Sequence, residues 1–254
     1  MRFRSFTPWL DVVAIAAWGL LLTKYWLTGK LYLLIHPNYM GLTVATAIAF
    51  FFLAGWRAIA LLKQRSRRAP STAAEQHITL LPNGWSTALL LGAALLGLLI
   101  QPRAFLSQTA IQRGAIDAPV TLTRVKPQAF RAASNTEDKS IIDWIRTLTV
   151  YPEPDAYVGQ KAKVQGFVIH PPNLPNQYLL ISRFIITCCA ADVYPVGLPV
   201  DVSKLSPSRD AYKPDSWLEI EGEMTTETLA DKRQLTLVAK SIKPINEPKN
   251  PYDF

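Results

Sequence analysis

Four polar residues in the second half of the chain have the types and spacing of a thiol site. The run R-F-I-I-T-C-C-A-A-D places Arg183, Cys188, Cys189 and Asp192 within ten residues. Thiolates bind soft metals and undergo redox reactions, and a neighbouring guanidinium lowers the pKa of a thiol. These four residues are therefore the predicted ligand or metal-binding set.

The local backbone decides between two interpretations of the cysteine pair. In a β-strand, neighbouring side chains point to opposite faces, so the two thiols cannot share an ion and one of them would pack in the core. If residues 187–192 instead form a turn, both thiols and Asp192 can converge on a soft metal, a metalloid or a redox partner. A disulfide is disfavoured because adjacent Cα atoms lie about 3.8 Å apart, below the usual disulfide range.

Asp192 and Arg183 also have structural interpretations. Aspartate commonly caps a turn, here the one before Val193. Arg183 is flanked by apolar residues, so it either extends its charged end from the β domain or pairs with Asp192.

No pattern in the sequence points to catalysis. It contains no phosphate-binding glycine loop, no two-histidine metal motif and no nucleophilic-serine motif. We therefore do not expect an enzyme, and the only cofactor suggested is a soft metal at Cys188 and Cys189.

The net charge of +8 lies almost entirely in the first part of the chain. Up to Gln101 there are nine basic and two acidic residues, against 18 basic and 17 acidic residues in the remainder. The basic excess lies beside apolar segments, where it sets membrane topology or meets anionic lipid headgroups. The sequence therefore predicts contact with a lipid bilayer and not with nucleic acid.

Three apolar segments make residues 1–101 a predicted transmembrane region, with helices at about 9–27, 41–62 and 82–100. A helix needs on the order of 20 residues to cross the hydrocarbon. The first two segments satisfy that length. The third does so only if residues 80–83 contribute, and Pro82 and Gly84 disfavour a continuous helix there.

Basic residues flank these segments unevenly. Arg2, Arg4 and the cluster within 63–68 lie on one side after two crossings, and the intervening loop carries only Lys24 and Lys30. By the positive-inside rule the N-terminus is cytoplasmic, and three crossings place the C-terminal domain outside the inner (plasma) membrane. This multi-pass topology depends on the third helix.

Four residues of the membrane region are candidates for function or assembly. Asp11 lies one turn into the first helix, where an acid is either functional or part of a solvated helix start. His36 lies in the apolar loop between the first two helices. Gly92 and Gly97 offer close packing to another helix.

The region after the helices is predicted to have two parts. Residues 102–133 lack periodicity, as in a stalk or a loosely packed segment. Residues 134–254 are predicted to form a soluble, mainly β domain with one preceding helix at 134–150, capped at Ser134 or Asn135.

Five short strands are predicted in this domain, at 162–169, 178–187, 195–202, 217–226 and 235–245. Gly166 and Gly222 lie midway in the first and fourth strands, as in a small, strongly coiled barrel. The expected architecture is an OB-like five-stranded barrel, with an open β-sandwich as the alternative.

Three stretches together resemble a known family. They are G-K-L…I-H-P-N at 29–38, G-Q-K…G-F-V at 159–168, and R-x4-C-C-x2-D…P-V-G-L at 183–198. Over nearly its whole length the chain resembles the YcgQ-like family of bacterial membrane proteins, which are regarded as permease subunits of unknown function. The resemblance implies a polytopic permease subunit as partner, rather than transport by this chain alone.

Two functional hypotheses follow. The first is an accessory membrane subunit of a permease complex, whose extracytoplasmic OB-like domain carries the R-x4-C-C-x2-D motif and binds a soft metal or metalloid. The alternative is a stand-alone, membrane-anchored protein with thiol-dependent metal binding or redox activity. A third possibility is an assembly module without a ligand.

Overall fold

The chain divides into a helical unit, Met1–Arg103, and a second unit, Ala104–Phe254, that carries the β-strands. The computed structural model describes residues 7–66, 84–115, 136–206 and 208–254. The prediction of a helical N-terminal part followed by a mainly β part is confirmed.

Three α-helices form the first unit. They are α1 (Thr7–Leu27), α2 (Pro37–Ser66) and α3 (Trp85–Leu99), with a 3-10 helix at Lys30–Leu33. Among the residues that the structure describes, two segments are long and apolar enough to cross a membrane, Pro8–Leu27 and Pro37–Lys63. The third predicted span is not borne out at full length, because α3 has only 15 residues. It begins after Gly84, whose φ of 91° is left-handed, and residues 82 and 83 lie outside the described part of the chain.

Polar side chains on one face of α1 bind α3. The hydrogen bonds are Thr87 Oγ1 to Asp11 Oδ1 (2.6 Å), Trp18 Nε1 to Leu90 O (3.0 Å), Lys24 Nζ to Leu98 O (2.6 Å) and Tyr25 OH to Gly97 O (2.6 Å). Asp11, Trp18 and Tyr25 are spaced seven residues apart, so they share one helix face. Because the residue numbers of both partners rise together, α1 and α3 run parallel.

Six strands form one mixed sheet in the second unit. They are β1 (Lys161–Ile169), β2 (Tyr178–Ile185), β3 (Tyr194–Asp201), β4 (Trp217–Leu229), β5 (Lys232–Ile245) and β6 (Tyr252–Asp253). The strand order is β1-β4-β5-β3-β2-β6, and β1 also pairs with β2. The pairs β3–β5 and β2–β6 are parallel, and the others are antiparallel. The prediction of five strands therefore missed β6, which is only two residues long.

The helix α5 (Ile141–Val150) begins later than predicted. Ser140 forms a capping box with Asp143, because the Ser140 Oγ accepts from the Asp143 N–H and the Asp143 carboxylate accepts from the Ser140 N–H. The expected first turn near Ser134 is outside the described residues, and Thr136–Asp138 forms a separate 3-10 helix. Two further 3-10 helices, Pro154–Tyr157 and Arg209–Ala211, lie in loops.

The apolar face of α5 completes the core of the second unit. Its residues Ile141, Trp144 and Ile145 are buried against the strands. The other side chains of this core come mainly from the strands and include Val164, Val168, Leu179, Ile181, Leu198, Val200, Ile220 and Leu237.

The start of the predicted stalk contains a short helix, α4 (Ser107–Gln112). Just before it, the Phe105 N–H donates to Tyr252 OH at 2.8 Å, and the two rings stack with centroids 6.0 Å apart. The Ser107 N–H donates to the carboxylate of Asp215 at 2.5 Å. This segment therefore packs on the β domain. Residues 116–133 of the predicted stalk lie outside the described residues.

Candidate metal centre

The cysteine pair lies in the connection between β2 and β3, and Asp192 organises that connection. β2 ends at Ile185, two residues before its predicted end at Thr187, and neither cysteine is part of that strand. One oxygen of Asp192, Oδ2, accepts from the Cys188 N–H at 2.8 Å and from the Thr187 hydroxyl. The other, Oδ1, accepts from the Cys189 N–H at 3.2 Å. The carboxylate thus folds the turn by binding three successive residues.

Both thiols lie on the same side of this turn. The Sγ atoms of Cys188 and Cys189 are 3.6 Å apart, and both cysteines are free. Cys188 is exposed and Cys189 is half-buried. The interpretation in which one thiol packs in a barrel core is therefore wrong, and the turn geometry is the one observed. The ligand atoms of both cysteines and Asp192 all lie within 4.8 Å of one another.

The carboxylate of Asp192 also affects the protonation of the Cys188 thiol. Its hydrogen bond with the Cys188 thiol, followed by the contact with Cys189, raises the pKa of Cys188 to about 11. Burial opposes ionisation of Asp192 itself, but hydrogen bonds from Thr187, Cys188 and Cys189 outweigh burial and lower its pKa. Cys188 is therefore a neutral thiol at pH 7. An ion that binds its sulfur must displace a proton, which becomes easier as the pH rises.

Arg183 is not brought together with this group. Its Nε lies 3.3 Å from Oδ2 of Asp253, and its Nη2 donates to the Asn250 carbonyl at 3.2 Å. Its guanidinium lies 5.6 Å from the ring centroid of Trp217. These partners explain why a charged residue is tolerated in β2, and none of them belongs to the cysteine turn. Burial is the main cause that raises the pKa of Asp253, and Arg183 opposes it.

Two segments distant in sequence hold the flanks of the turn. On one side, the Ile186 N–H donates to the Asp253 carbonyl at 3.0 Å, next to the pairing of β2 with β6. On the other side, the guanidinium of Arg113 donates to the Val193 carbonyl. Sequence reasoning missed Arg113, because no motif or spacing links it to a carbonyl that is 80 residues away.

Two candidates of the membrane region have helix-related roles. Asp11 accepts the hydroxyl hydrogen bond of Thr87, in the first turn of α3. His36 Nδ1 accepts from the Asn38 N–H at 3.1 Å, at the first turn of α2, and its ring lies 6.2 Å from that of Tyr39. Neither residue takes part in a cluster of potential metal ligands within the described parts of the chain.

The two glycines of α3 differ in environment. A Cβ at Gly97 would lie 3.0 Å from Leu21 of α1, so Gly97 allows α1 and α3 to approach within this chain. A Cβ at Gly92 would meet nothing within 4 Å. Gly92 therefore faces open space, whereas Gly97 packs against α1.

Family models cover both parts of the chain. The DUF1980 N-terminal domain matches residues 10–116, and the DUF1980 C-terminal domain matches residues 128–254, the part that holds the cysteine turn. No curated protein and no solved structure matched the chain. With both family domains present in order along nearly its whole length, the chain belongs to the DUF1980 family.

Proposed function

We propose that this chain is an accessory membrane subunit of a permease complex, and that its C-terminal domain binds a soft metal ion through Cys188 and Cys189. The observation that carries the proposal is the 3.6 Å separation of two free thiols on a turn folded by Asp192. Thiolates are the protein ligands that soft metals prefer. Because Cys188 is exposed, an ion reaches the pair without unfolding the domain.

The pairing of the strands supports an OB-like barrel as the scaffold. β1 pairs with both β4 and β2, so the ladder through β1–β5 returns to its start. In our interpretation the cysteine turn is then the loop between the second and third strands of the barrel. A loop on a closed barrel is held at both ends by paired strands, which gives two thiols a fixed separation.

Metal binding is tested on the full chain, purified in detergent without oxygen. We expect one soft metal ion to bind per chain and to protect both cysteines from alkylation, with tighter binding at higher pH. Cys188→Ser and Cys189→Ser should each weaken binding at least 100-fold, because a chelate of two sulfurs becomes a single contact. Ser208→Ala, an exposed change away from the turn, is the control. Unchanged binding in both cysteine variants would reject the proposed site.

Contacts between α1 and α3 support a third crossing of the membrane. A helix of 15 residues is about 22 Å long, shorter than the hydrocarbon core of about 30 Å. Its last carbonyls lack partners within the helix. Lys24 and Tyr25 of α1 donate to three of them, on Gly97, Leu98 and Ile100. These hydrogen bonds satisfy backbone carbonyls to which lipid tails cannot donate. The ammonium of Lys24 also places a positive charge at the C-terminal end of α3, where the helix dipole is negative.

The parallel course of α1 and α3 requires α2 to cross back between them. We therefore propose a multi-pass protein of the inner (plasma) membrane with a cytoplasmic N-terminus and an extracytoplasmic C-terminal domain. A membrane-impermeant maleimide should then label Cys188 on intact cells. Labelling that appears only after permeabilisation would place the domain in the cytoplasm.

The proposed partner is a polytopic permease subunit, and Gly92 offers a place for one of its helices. Leucine at Gly92 should reduce copurification of that partner, because the added side chain occupies the open space beside α3. Gly55→Leu on α2, another glycine with nothing within 4 Å, is the matched control. Recovery of the partner with Gly92→Leu that equals recovery with the unaltered chain would favour the stand-alone alternative.

A further inference from the structure

We infer that the cysteine turn selects a divalent ion with tetrahedral coordination, of the Zn²⁺ and Cd²⁺ class, over ions that favour two-coordinate linear binding. This inference rests on the proposed metal-binding function and narrows it to one class of ion. It follows from the separation of the two sulfurs, the third donor beside them and the charge of the group.

The separation of the sulfurs fixes the angle at the ion. With metal–sulfur bonds of about 2.3 Å, sulfurs 3.6 Å apart give a sulfur–metal–sulfur angle of about 103°, near the tetrahedral value. Linear coordination with the same bond length needs sulfurs about 4.6 Å apart. Soft monovalent ions such as Cu⁺ and Ag⁺, which favour linear coordination by two thiolates, would have to pull the side chains of Cys188 and Cys189 apart.

Asp192 supplies the third donor. Its Oδ2 accepts from the Thr187 hydroxyl and the Cys188 N–H, and its Oδ1 accepts from the Cys189 N–H. The carboxylate also accepts a hydrogen bond from the Cys188 thiol, so it already lies beside the sulfur whose proton an ion would replace. The ligand atoms of all three residues lie within 4.8 Å of one another, and a tetrahedral site holds sulfur and oxygen about 3.6 Å apart.

Charge favours a divalent cation over a neutral metalloid acid. Once an ion has displaced the thiol protons, two thiolates and one carboxylate carry three negative charges, which a divalent ion reduces to one. Within the described residues the group has only these three ligands, so a tetrahedral ion keeps one open position. Since Cys188 is exposed, that position is open to water or to a donor from another molecule. A bound ion can therefore be exchanged.

The test compares ions on the reduced full chain in detergent. Cd²⁺ is titrated while its thiolate charge-transfer absorption is recorded, Zn²⁺ is added to displace it, and Cu⁺ and arsenite are titrated separately against competing chelators. We expect one Cd²⁺ per chain, displaced by Zn²⁺, and no charge-transfer band in the variant with Cys188→Ser and Cys189→Ser. Adding Ser208→Cys to that variant provides one isolated surface thiol and should not restore binding.

Asp192→Asn tests the contribution of the third donor separately from that of the two thiols. It keeps an oxygen that can accept hydrogen bonds, but it removes the negative charge, and we expect it to weaken Cd²⁺ binding about tenfold while both thiols remain titratable. Thiol-dependent binding of Cu⁺ or arsenite that is tighter than that of Cd²⁺ and Zn²⁺ would overturn the inference and leave the proposed function standing. Failure of every one of these ions to bind through the cysteines would remove both.

Discussion

Gly222→Ala is expected to unfold the C-terminal domain or to destabilise it by at least about 3 kcal/mol. A Cβ at this position would overlap the carbonyl oxygen of Val238 and lie 3.0 Å from Leu237 Cδ1. The oxygen belongs to the backbone of β5, so it cannot move aside without breaking the ladder. Gly222 lies where the register of β4 on β5 shifts, between Glu221 and Gly222. The change therefore strains the irregularity that bends β4.

Gly197→Ala is the matched control for this prediction. Its added Cβ would lie 2.8 Å from Leu180 Cγ, a side-chain atom rather than backbone. We expect a smaller loss of about 1–2 kcal/mol for that variant, because a side chain can shift without breaking the strand ladder. Hydrogen exchange of the β4 and β5 amides in the full chain measures both effects. Similar protection in the two variants would contradict the importance assigned to the backbone contact.

Trp144→Ala is expected to destabilise the same domain by about 3–5 kcal/mol. Trp144 is fully buried (0% exposed) and anchors α5. Its ring meets that of Tyr157 edge-on at 6.2 Å, and Lys139 Nζ lies 4.6 Å from its centroid. Alanine would remove these contacts and leave a cavity between α5 and the strands.

Trp144→Phe distinguishes lost volume from lost polarity. The indole Nε1 is buried and has no hydrogen-bond partner among the described residues. Phenylalanine keeps most of the ring and removes this unsatisfied donor, so we expect a cost of less than about 1.5 kcal/mol. Thermal unfolding of the full chain in detergent measures both variants. A loss for phenylalanine as large as the loss for alanine would show that the indole N–H, and not the volume of the ring, accounts for the effect.

The pattern of apolar residues was sufficient to predict most elements. The three helices of the first unit and five of the six strands, within the described residues, lie close to their predicted positions, because their apolar residues recur with the period of the structure. The start of α5 was misplaced because Ser134 and Ser140 are both acceptable helix caps in the sequence, and the pattern alone does not show that Ser140 forms the capping box with Asp143. The strands β4 and β5 extend further than predicted. Ala230 and Asp231 between them adopt left-handed φ angles of 48° and 61°, without a glycine to signal the turn.

The candidate site was predictable only in its composition. The sequence identifies the cysteines and Asp192, and it shows that their chemistry depends on whether they lie in a strand or a turn. It does not reveal that Asp192 binds three consecutive residues, since a strand-like run of apolar residues reaches Thr187. The hydrogen bond and ion pair of Arg183 with Asn250 and Asp253, and the contact of Arg113 with Val193, involve residues more than 60 positions away, where local patterns carry no information.

Because α1 is synthesised before α3, the contacts between these two helices can form only after α3 has left the ribosome. The carbonyl acceptors of Tyr25, on Gly97 and Ile100, are synthesised 72 and 75 residues after Tyr25 itself. During that interval Lys24 and Tyr25 have no α3 carbonyls to bind. In the proposed three-crossing topology, α1 stays accessible beside the insertion machinery until α3 emerges. The donors Lys24 and Tyr25 on α1 are then already in place when α3 enters the bilayer. Membrane insertion of this protein would then depend on the delay between synthesis of its first and third helices. Shortening or lengthening the connection at residues 67–83 should therefore change the yield of inserted protein. The stability of the C-terminal domain should not change.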